Sequence, residues 1–410
     1  MNPSASGANL PALRSHNAAL VLGLLRSATV YASGAAPGAD GGISRLELAE
    51  RTGLTPQAVS KITARLRAEG LVEEAGRRAS TGGKPRTELR LVAGARHAVG
   101  LHLDGERLTA VLTDLTGRTV ACREAPLDLG LPVGPALDAI VHEVRAAIAA
   151  APGPVLGVGV GMRGPLDHRT GTLHRVTGFP HWQHHPLRAT LATRLGLPVA
   201  LDKNTNAAAL SVLAEAPPAG DGDDAGPLRP EGGDAAGAAP AGAVGDSAPL
   251  SASAARRASF AYVHLGAGLG AGLVLGGEVY RGGRTGAGEF GHQVVELGGE
   301  LCKCGNRGCL EALCLAAVGR GDVAGAARLL GVGAANLVAL LDIDRVVLGG
   351  RAVHAAPDVF ATQVAAVLAE YGRSVPVGFA AAGPRAVAEG AALLVLAPLF
   401  GGALGTAALA

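Results

Sequence analysis

The apolar positions of this chain change their period about a quarter of the way along. In the first stretch they recur at helical spacing. Asn17–Thr29 (NAALVLGLLRSAT) spaces its Leu and Val for one helix, and the Gly/Ala/Pro run Ser33–Gly42 breaks it. Ser44 opens a second helix. Glu47 stands three residues on, the spacing of a capping box, and the helix stops at Gly53. Thr55 caps a third helix with Pro56 at its first position, and QAVSKITARLRAEG carries it to Gly70. Val59, Ile62 and Leu66 make its buried stripe, while Gln57, Ser60, Lys61 and Arg65 fall on exposed faces. Leu71–Leu91 then sets short apolar runs either side of RRASTGGKPR, the pattern of a β-hairpin with a basic tip.

From Ala98 the runs shorten and become strand-like. AVGLHLDGERLTAVLTDLTGRTV reads as two strands and a turn, followed by a helix over Ala136–Ala151 and a glycine-containing strand over Val155–Val160. Val199–Asp202 is a short strand that leads through KNTNAAALSVLAE into a helix. Phe260–Leu275 starts the strand pattern again. A helix ends over Asn336–Leu341, Arg345–Leu348 is a strand, and a helical pattern starts at Ala386. The fold class is therefore α/β: a small helical module with a hairpin, then two β-rich halves joined across a cleft, an actin-like ATPase architecture. The domains are 1–97 and 98–410, with the lobes of the second dividing near 200–260. Between those lobes, residues 216–255 hold 13 Ala, 8 Gly, 6 Pro and 5 Asp, a composition that predicts a disordered loop.

Charge sharpens the division. Residues 1–97 hold 13 Lys+Arg against 7 Asp+Glu, a net +6, and the remainder holds 23 against 27, a net −4. A basic module on an acidic body points to a polyanionic partner. Two short helices around a glycine turn form a helix-turn-helix, whose second helix offers its first polar residues to base edges in the major groove. Gln57, Ser60, Lys61 and Arg65 are the candidate readers, and Arg77, Arg78, Lys84 and Arg86 of the hairpin are candidate phosphate contacts. The N-terminus lacks a basic-then-apolar signal pattern. Ala391–Ala410 carries no charge but contains Pro398, Gly401, Gly402 and Gly405, which favours a buried helix and a loose tail over a membrane span. The expectation is a cytoplasmic protein without a membrane partner.

The densest chemistry lies in Gly286–Glu311, GAGEFGHQVVELGGELCKCGNRGCLE, which holds three of the five cysteines. His292, Cys302, Cys304 and Cys309 supply one imidazole and three thiolates, with glycines that let the chain turn between them. Four protein ligands close a tetrahedral Zn²⁺ shell, so the zinc expected here is structural. Glu289 and Glu311 flank the cluster, and carboxylates accept hydrogen bonds from vicinal hydroxyls.

GEFGH followed by CxCGxxGCLE resembles the zinc motif of the ROK family of bacterial sugar kinases and sugar-responsive repressors, and the segment holding STGGKP is similar to the winged helix of ROK repressors. The resemblance covers nearly the whole chain from about residue 14 and implies the two-lobed kinase-like body. It also implies that Glu289, His292 and Glu311 hydrogen-bond sugar hydroxyls. The family's Asn-Asp pair, whose aspartate is the base of the kinases, matches Asn204 and Thr205. Asn204 then remains a sugar contact, and Thr205 keeps a hydroxyl for hydrogen bonding but is no general base near neutral pH. The family's first phosphate loop, Asp-x-Gly-Gly-Thr, is here Asp104-Gly105-Glu106-Arg107-Leu108, which brings a carboxylate toward phosphate. Its second loop, Gly-Thr-Gly, is Gly266-Ala267-Gly268. VTGFPHW (Val176–Trp182) sits where the family has a loop over the sugar, so Trp182 either stacks on a sugar face or packs in the core. His181, His184 and His185 beside it have no carboxylate or thiolate companion and read as a solvated loop. Leu313–Asn336 is shorter than the family's segment after the zinc motif.

The reading is a sugar-responsive regulator, a repressor, without kinase activity. It holds a structural Zn²⁺ and binds operator DNA as a homodimer or homotetramer. The rivals are a ROK carbohydrate kinase with an appended DNA-binding module, and a regulator that keeps its body only as a dimerisation scaffold.

Overall fold

A computed structural model describes residues 10–34, 42–78, 86–174, 176, 178–215 and 258–401. The expected loop over 216–255, the hairpin tip with Lys84 and the tail beyond Gly401 lie outside these residues, as do the side chains of Arg77, Arg78 and Arg86. The chain forms two compact units. One takes in Met1–Val212, Glu278–Ala287 and Arg385–Ala410, the other Leu213–Gly277 and Gly288–Pro384.

The first unit begins with helix α1 (Leu10–Gly34), longer at both ends than its apolar spacing predicts. Strand β1 (Ile43–Ser44) leads into α2 (Arg45–Thr52), and α3 (Pro56–Ala68) follows after Gly53 at φ 69. The capping box forms: the Ser44 backbone N–H donates to Glu47 Oε2 at 2.8 Å, and the Glu47 N–H donates to Ser44 Oγ at 3.3 Å. The buried stripe of α3 is Val59, Thr63 and Leu66, and Ile62 is only half buried. Thr63 tolerates the interior because its hydroxyl donates to the Val59 carbonyl at 2.9 Å. Strands β2 (Val72–Arg78) and β3 (Arg86–Leu91) pair antiparallel, and β1 adds to the far edge of β3. Two residues are too short for a periodic signal, so β1 was hidden in the sequence.

The same unit holds a sheet in the order β10-β7-β4-β5-β6. Strands β4 (His97–Leu103), β5 (Arg107–Asp114) and β6 (Thr119–Pro126) form an antiparallel meander, one strand more than the alternation predicts. After α4 (Val133–Ala149), β7 (Val155–Met162) lies parallel to β4. The two-residue strands β8 (Leu166–Asp167) and β9 (Thr172–Leu173) and helix α5 (Leu187–Leu195) precede β10 (Val199–Lys203), which runs parallel to β7 and enters α6 (Asn204–Ala214). Side chains alternate across a sheet, so β7 reads as two faces. Val158, Val160 and Met162 join the core under α4. Gly157, Gly159 and Gly161 face the other way. A Cβ on Gly159 would fall on the Ala391 carbonyl of the C-terminal helix.

The second unit carries β11 (Phe260–Leu265), paired antiparallel with β12 (Leu269–Leu275) and parallel with β14 (Arg345–Gly349), which pairs with β15 (Val377–Phe379). Strand β13 (Glu278–Tyr280) falls in the first unit's middle segment. Helices α7 (Leu310–Gly319) and α8 (Val323–Leu341) follow the cysteine-rich loop, and α9 (Arg351–Ala355) and α10 (Pro357–Glu370) follow β14. Helix α11 (Ala386–Leu396) returns to the first unit, and every residue of it except Glu389 is buried. Gly383–Phe400 and Val323–Leu341 are long and apolar enough to cross a bilayer by length and composition. The packing of α11 against β4 and β7 shows why a core helix passes the same test.

Candidate functional site

Helix α3 is held by its cap, with Thr55 Oγ1 accepting the Ala58 N–H at 3.2 Å. Its exposed face presents Gln57, Ser60, Lys61 and Arg65 together. Arg65 makes an exposed pair with Glu69 at 3.6 Å, a contact worth little in water and easily exchanged for phosphate. Arg67 and Arg90 are tied to Glu74 and Glu73 at 2.9 and 2.7 Å, which steadies the hairpin base. Helix α1 anchors this module to the rest of its unit. The Arg26 guanidinium donates twice to the Thr116 carbonyl, at 3.1 and 2.8 Å, and lies 5.3 Å over the Phe400 ring.

The cysteine loop brings His292, Cys302, Cys304 and Cys309 together, with one ligand atom from each lying within 4.8 Å of the others. The Cys302 N–H donates to Asn306 at 2.8 Å and the Gly305 N–H donates to Cys302 at 2.9 Å, closing a tight knuckle. Gly308 sits at φ 71, where a Cβ would strike the Glu296 carbonyl. Cys304 Sγ lies 3.7 Å from Cys309 Sγ, and Cys302 Sγ lies 3.8 Å from His292 Nδ1. A tetrahedral ion with bonds of about 2.3 Å to sulfur sets its thiolates about 3.8 Å apart, so this donor set fits a Zn²⁺-sized cation. Burial pushes the Cys309 thiol up to about 12, and Cys302 rises for the same first reason. Three crowded thiols ionise together only when a cation compensates them.

His292 Nδ1 faces the sulfurs, and its Nε2 lies 4.0 Å from Glu289 Oε2. Glu289 is exposed. Glu311, in the first turn of α7, is half buried, and its Oε2 accepts the Leu269 N–H at 2.8 Å. In the other unit, Asn204 begins α6 and is half buried, and its Oδ1 accepts the Thr205 N–H at 2.9 Å. Thr205 is only 5% exposed. Neither an amide nor a buried hydroxyl is a base at neutral pH.

The expected phosphate loops are tight turns. The Asp104 N–H donates to Arg107, the Leu129 N–H donates to Gly105, and the Gly266 N–H donates to Gly268. Trp182 is fully buried, and its indole N–H donates to the Leu129 carbonyl at 2.9 Å, so it packs in the core. His181 Nε2 meets the same carbonyl at 2.8 Å, and the His185 ring stands edge-on to Trp182 at 5.6 Å. These histidines support the tryptophan loop and form no ligand cluster. Sequence reasoning missed Arg281, Thr285, His168 and Asp202, which meet beside Lys203; no periodic motif marks them.

The chain matches the ROK family over residues 98–216 and 242–321, and a winged helix-turn-helix DNA-binding family over 38–73. It carries a ROK family domain behind a winged helix-turn-helix. Its relatives include the xylose repressor of Bacillus subtilis (strain 168), 26% identical over 66% of this chain and 61% of that protein. The N-acetylglucosamine repressor of Escherichia coli O157:H7 is 28% identical over 67% of this chain and 59% of that protein. The chain therefore spans about three fifths of the length of these two relatives. A crystallised ROK family transcriptional regulator, homologous to the E. coli MLC protein, superposes with a TM-score of 0.67 over 96% of this chain and 98% of its own, at 20% identity. A ROK hexokinase from Thermus thermophilus superposes with a TM-score of 0.54 over 72% of this chain and 97% of its own, at 28% identity. The fold is a winged helix-turn-helix followed by the two-lobed, actin-like ROK body.

Proposed function

We propose that the protein is a sugar-responsive transcriptional repressor whose kinase-like body is catalytically silent and holds a structural zinc. One observation carries the reading: a capped reader helix with four exposed polar side chains shares a chain with a His/Cys₃ knuckle beside the carboxylates of Glu289 and Glu311. Gln57, Ser60, Lys61 and Arg65 read the operator's major groove, and Arg77, Arg78, Lys84 and Arg86 of the wing bind its phosphates. The chain works as a homodimer or homotetramer on a palindromic site. It acts in the cytoplasm.

Zn²⁺ is held by Cys302, Cys304, Cys309 and His292 Nδ1, and supplies only rigidity. With Nδ1 turned to a bound metal, His292 would keep its proton on Nε2 and donate it to a sugar hydroxyl, while Glu289 and Glu311 accept from others. Asn204 adds a donor and an acceptor. The named sugars of the relatives differ, one a pentose and one an acetylated hexosamine. The effector class is therefore a monosaccharide or simple derivative.

The test is DNA selection with pure protein, followed by titration of the bound operator with D-xylose, D-glucose, N-acetylglucosamine and N-acetylglucosamine 6-phosphate. The reading predicts one specific operator and a sugar that changes its affinity. A second reading, a carbohydrate kinase, is favoured by the likeness to the ROK hexokinase. It requires ATP consumption with one of the same sugars, and Asn204 with Thr205 offers that reaction no base.

A further inference from the structure

Residues 281–287 form a closed loop that leads directly into Glu289 and His292. The Ala287 N–H donates back to the Arg281 carbonyl at 3.2 Å, and Gly282, at φ 71, lets the two ends approach. The loop is fastened by side chains from two other parts of its unit. Arg281 Nε donates to Asp202 Oδ2 at 2.6 Å, where the Asp202 side chain is 2% exposed. The other Asp202 oxygen accepts from the Lys203 N–H and from Asn206 Nδ2, both at 2.8 Å. Lys203, 3% exposed, sends its Nζ to the Ala287 carbonyl. In the middle, Thr285 Oγ1 lies 2.7 Å from His168 Nδ1 and accepts the His168 N–H at 3.3 Å, and Arg169 Nη2 donates to Gly283 at 3.2 Å.

Two features set this loop apart from an ordinary turn. Thr285 is β-branched, 2% exposed and held at φ 57, a conformation such residues rarely adopt. Buried ion pairs contribute little net stability, because desolvation offsets their attraction, and their better-attested use is to specify one arrangement. The fastened atoms are also well placed in the chain. Asp202 and Lys203 immediately precede Asn204, and Ala287 lies two residues before Glu289. On the far side of the loop, the Gly288 carbonyl is taken by the Ala271 N–H at 2.9 Å.

We infer that Arg281 and Thr285 are positioning residues for the sugar loop: pinned by Asp202 and His168, they fix the conformation of residues 281–287, the segment that runs directly into Glu289 and His292. The inference rests on the sugar reading above. The fastening itself is a property of the loop and is measurable without any sugar.

The test is hydrogen exchange on the full-length, zinc-loaded protein and its Arg281→Met and Thr285→Gly variants. Thr285→Gly relieves the backbone strain, so it folds even where loss of Arg281 does not. The expected result is faster exchange of the 286–292 amides by about tenfold or more, with the β4–β7 amides unchanged and zinc retained at one ion per chain. Arg281→Lys restores part of the protection. Unchanged exchange of 286–292, or an equal rise throughout the unit, overturns the proposal. A parallel sugar titration with the four-sugar panel and a Glu289→Gln control separates the two claims. If Glu289→Gln leaves sugar binding intact, the sugar reading fails and exchange alone judges the strap. If Glu289→Gln abolishes binding while Arg281→Met leaves the sugar affinity unchanged, the strap proposal fails and the sugar reading stands.

Discussion

His292 turns Nδ1 toward the Cys302 sulfur and Nε2 toward Glu289, and the cluster around it makes a sharp prediction. Replacing Cys304 or Cys309 with Ser removes one thiolate from a four-ligand shell. Metal content by mass spectrometry should fall from about one zinc per chain to near none, with folding stability lost alongside it. Glu289→Gln should keep the zinc and weaken sugar binding by at least about tenfold, since a charged acceptor becomes a neutral one. A pH effect belongs at this scale too. His102 on β4 is buried, and burial followed by the Arg163 charge lowers its pKa to about 4. The unfolded value is about 6.5, so the unfolded chain binds more protons below that pH. Stability is full above pH ~6.5 and is lost as pH falls toward 4, on the order of 3 kcal/mol. Thermal melts at pH 7.5 and 5 should differ in wild type, and His102→Gln should shrink the difference, leaving the part due to His168, His185 and His354, whose pKa values burial also lowers.

Much of the residue chemistry was legible because it is local. The cysteines, His292 and both glutamates sit within a single 26-residue stretch. What sequence could not show is contact at long separation: Arg281 with Asp202, or Trp182 with Leu129. The burial of Thr205 at the start of α6 was likewise hidden from the sequence. Trp182→Phe should cost about 1–3 kcal/mol, from lost core packing and one lost hydrogen bond, since His181 still meets the Leu129 carbonyl, with no change in sugar affinity.

At the scale of elements, local rules did best where a cap or turn carries the signal. The Ser44 box, the Thr55 cap and the Gly53 turn all form. Ser44→Ala should cost about 1 kcal/mol and weaken operator binding only as far as α2 frays. The face of β7 that bears glycines was legible as glycine-rich and no more. Its reason is the close approach of α11, and only the packed structure supplies that partner. Gly159→Ala should destabilise the first unit by about 2 kcal/mol or more, because a backbone carbonyl occupies the space. Denaturant melts should register this, while Gly134→Ala, which meets nothing, should be close to neutral.

For the whole molecule, the basic first 97 residues include the stretch that matches a winged helix-turn-helix, and the acidic remainder includes the stretches that match the ROK family. The described winged helix is joined to its unit through Arg26, Phe400 and Thr116, so the DNA-binding module does not hang on a free tether. That fixed attachment is what a sugar-dependent change in operator affinity needs, since coupling requires two sites that bias one arrangement. The measurement that tests the central claim most directly is operator affinity of the pure zinc-loaded protein, by fluorescence anisotropy, with and without each sugar of the panel. The account predicts specific binding that one sugar shifts by at least about fivefold, with Glu289→Gln abolishing the shift and leaving DNA binding intact. Specific binding that no sugar alters, or ATP-dependent phosphorylation of a sugar by the same preparation, would contradict it.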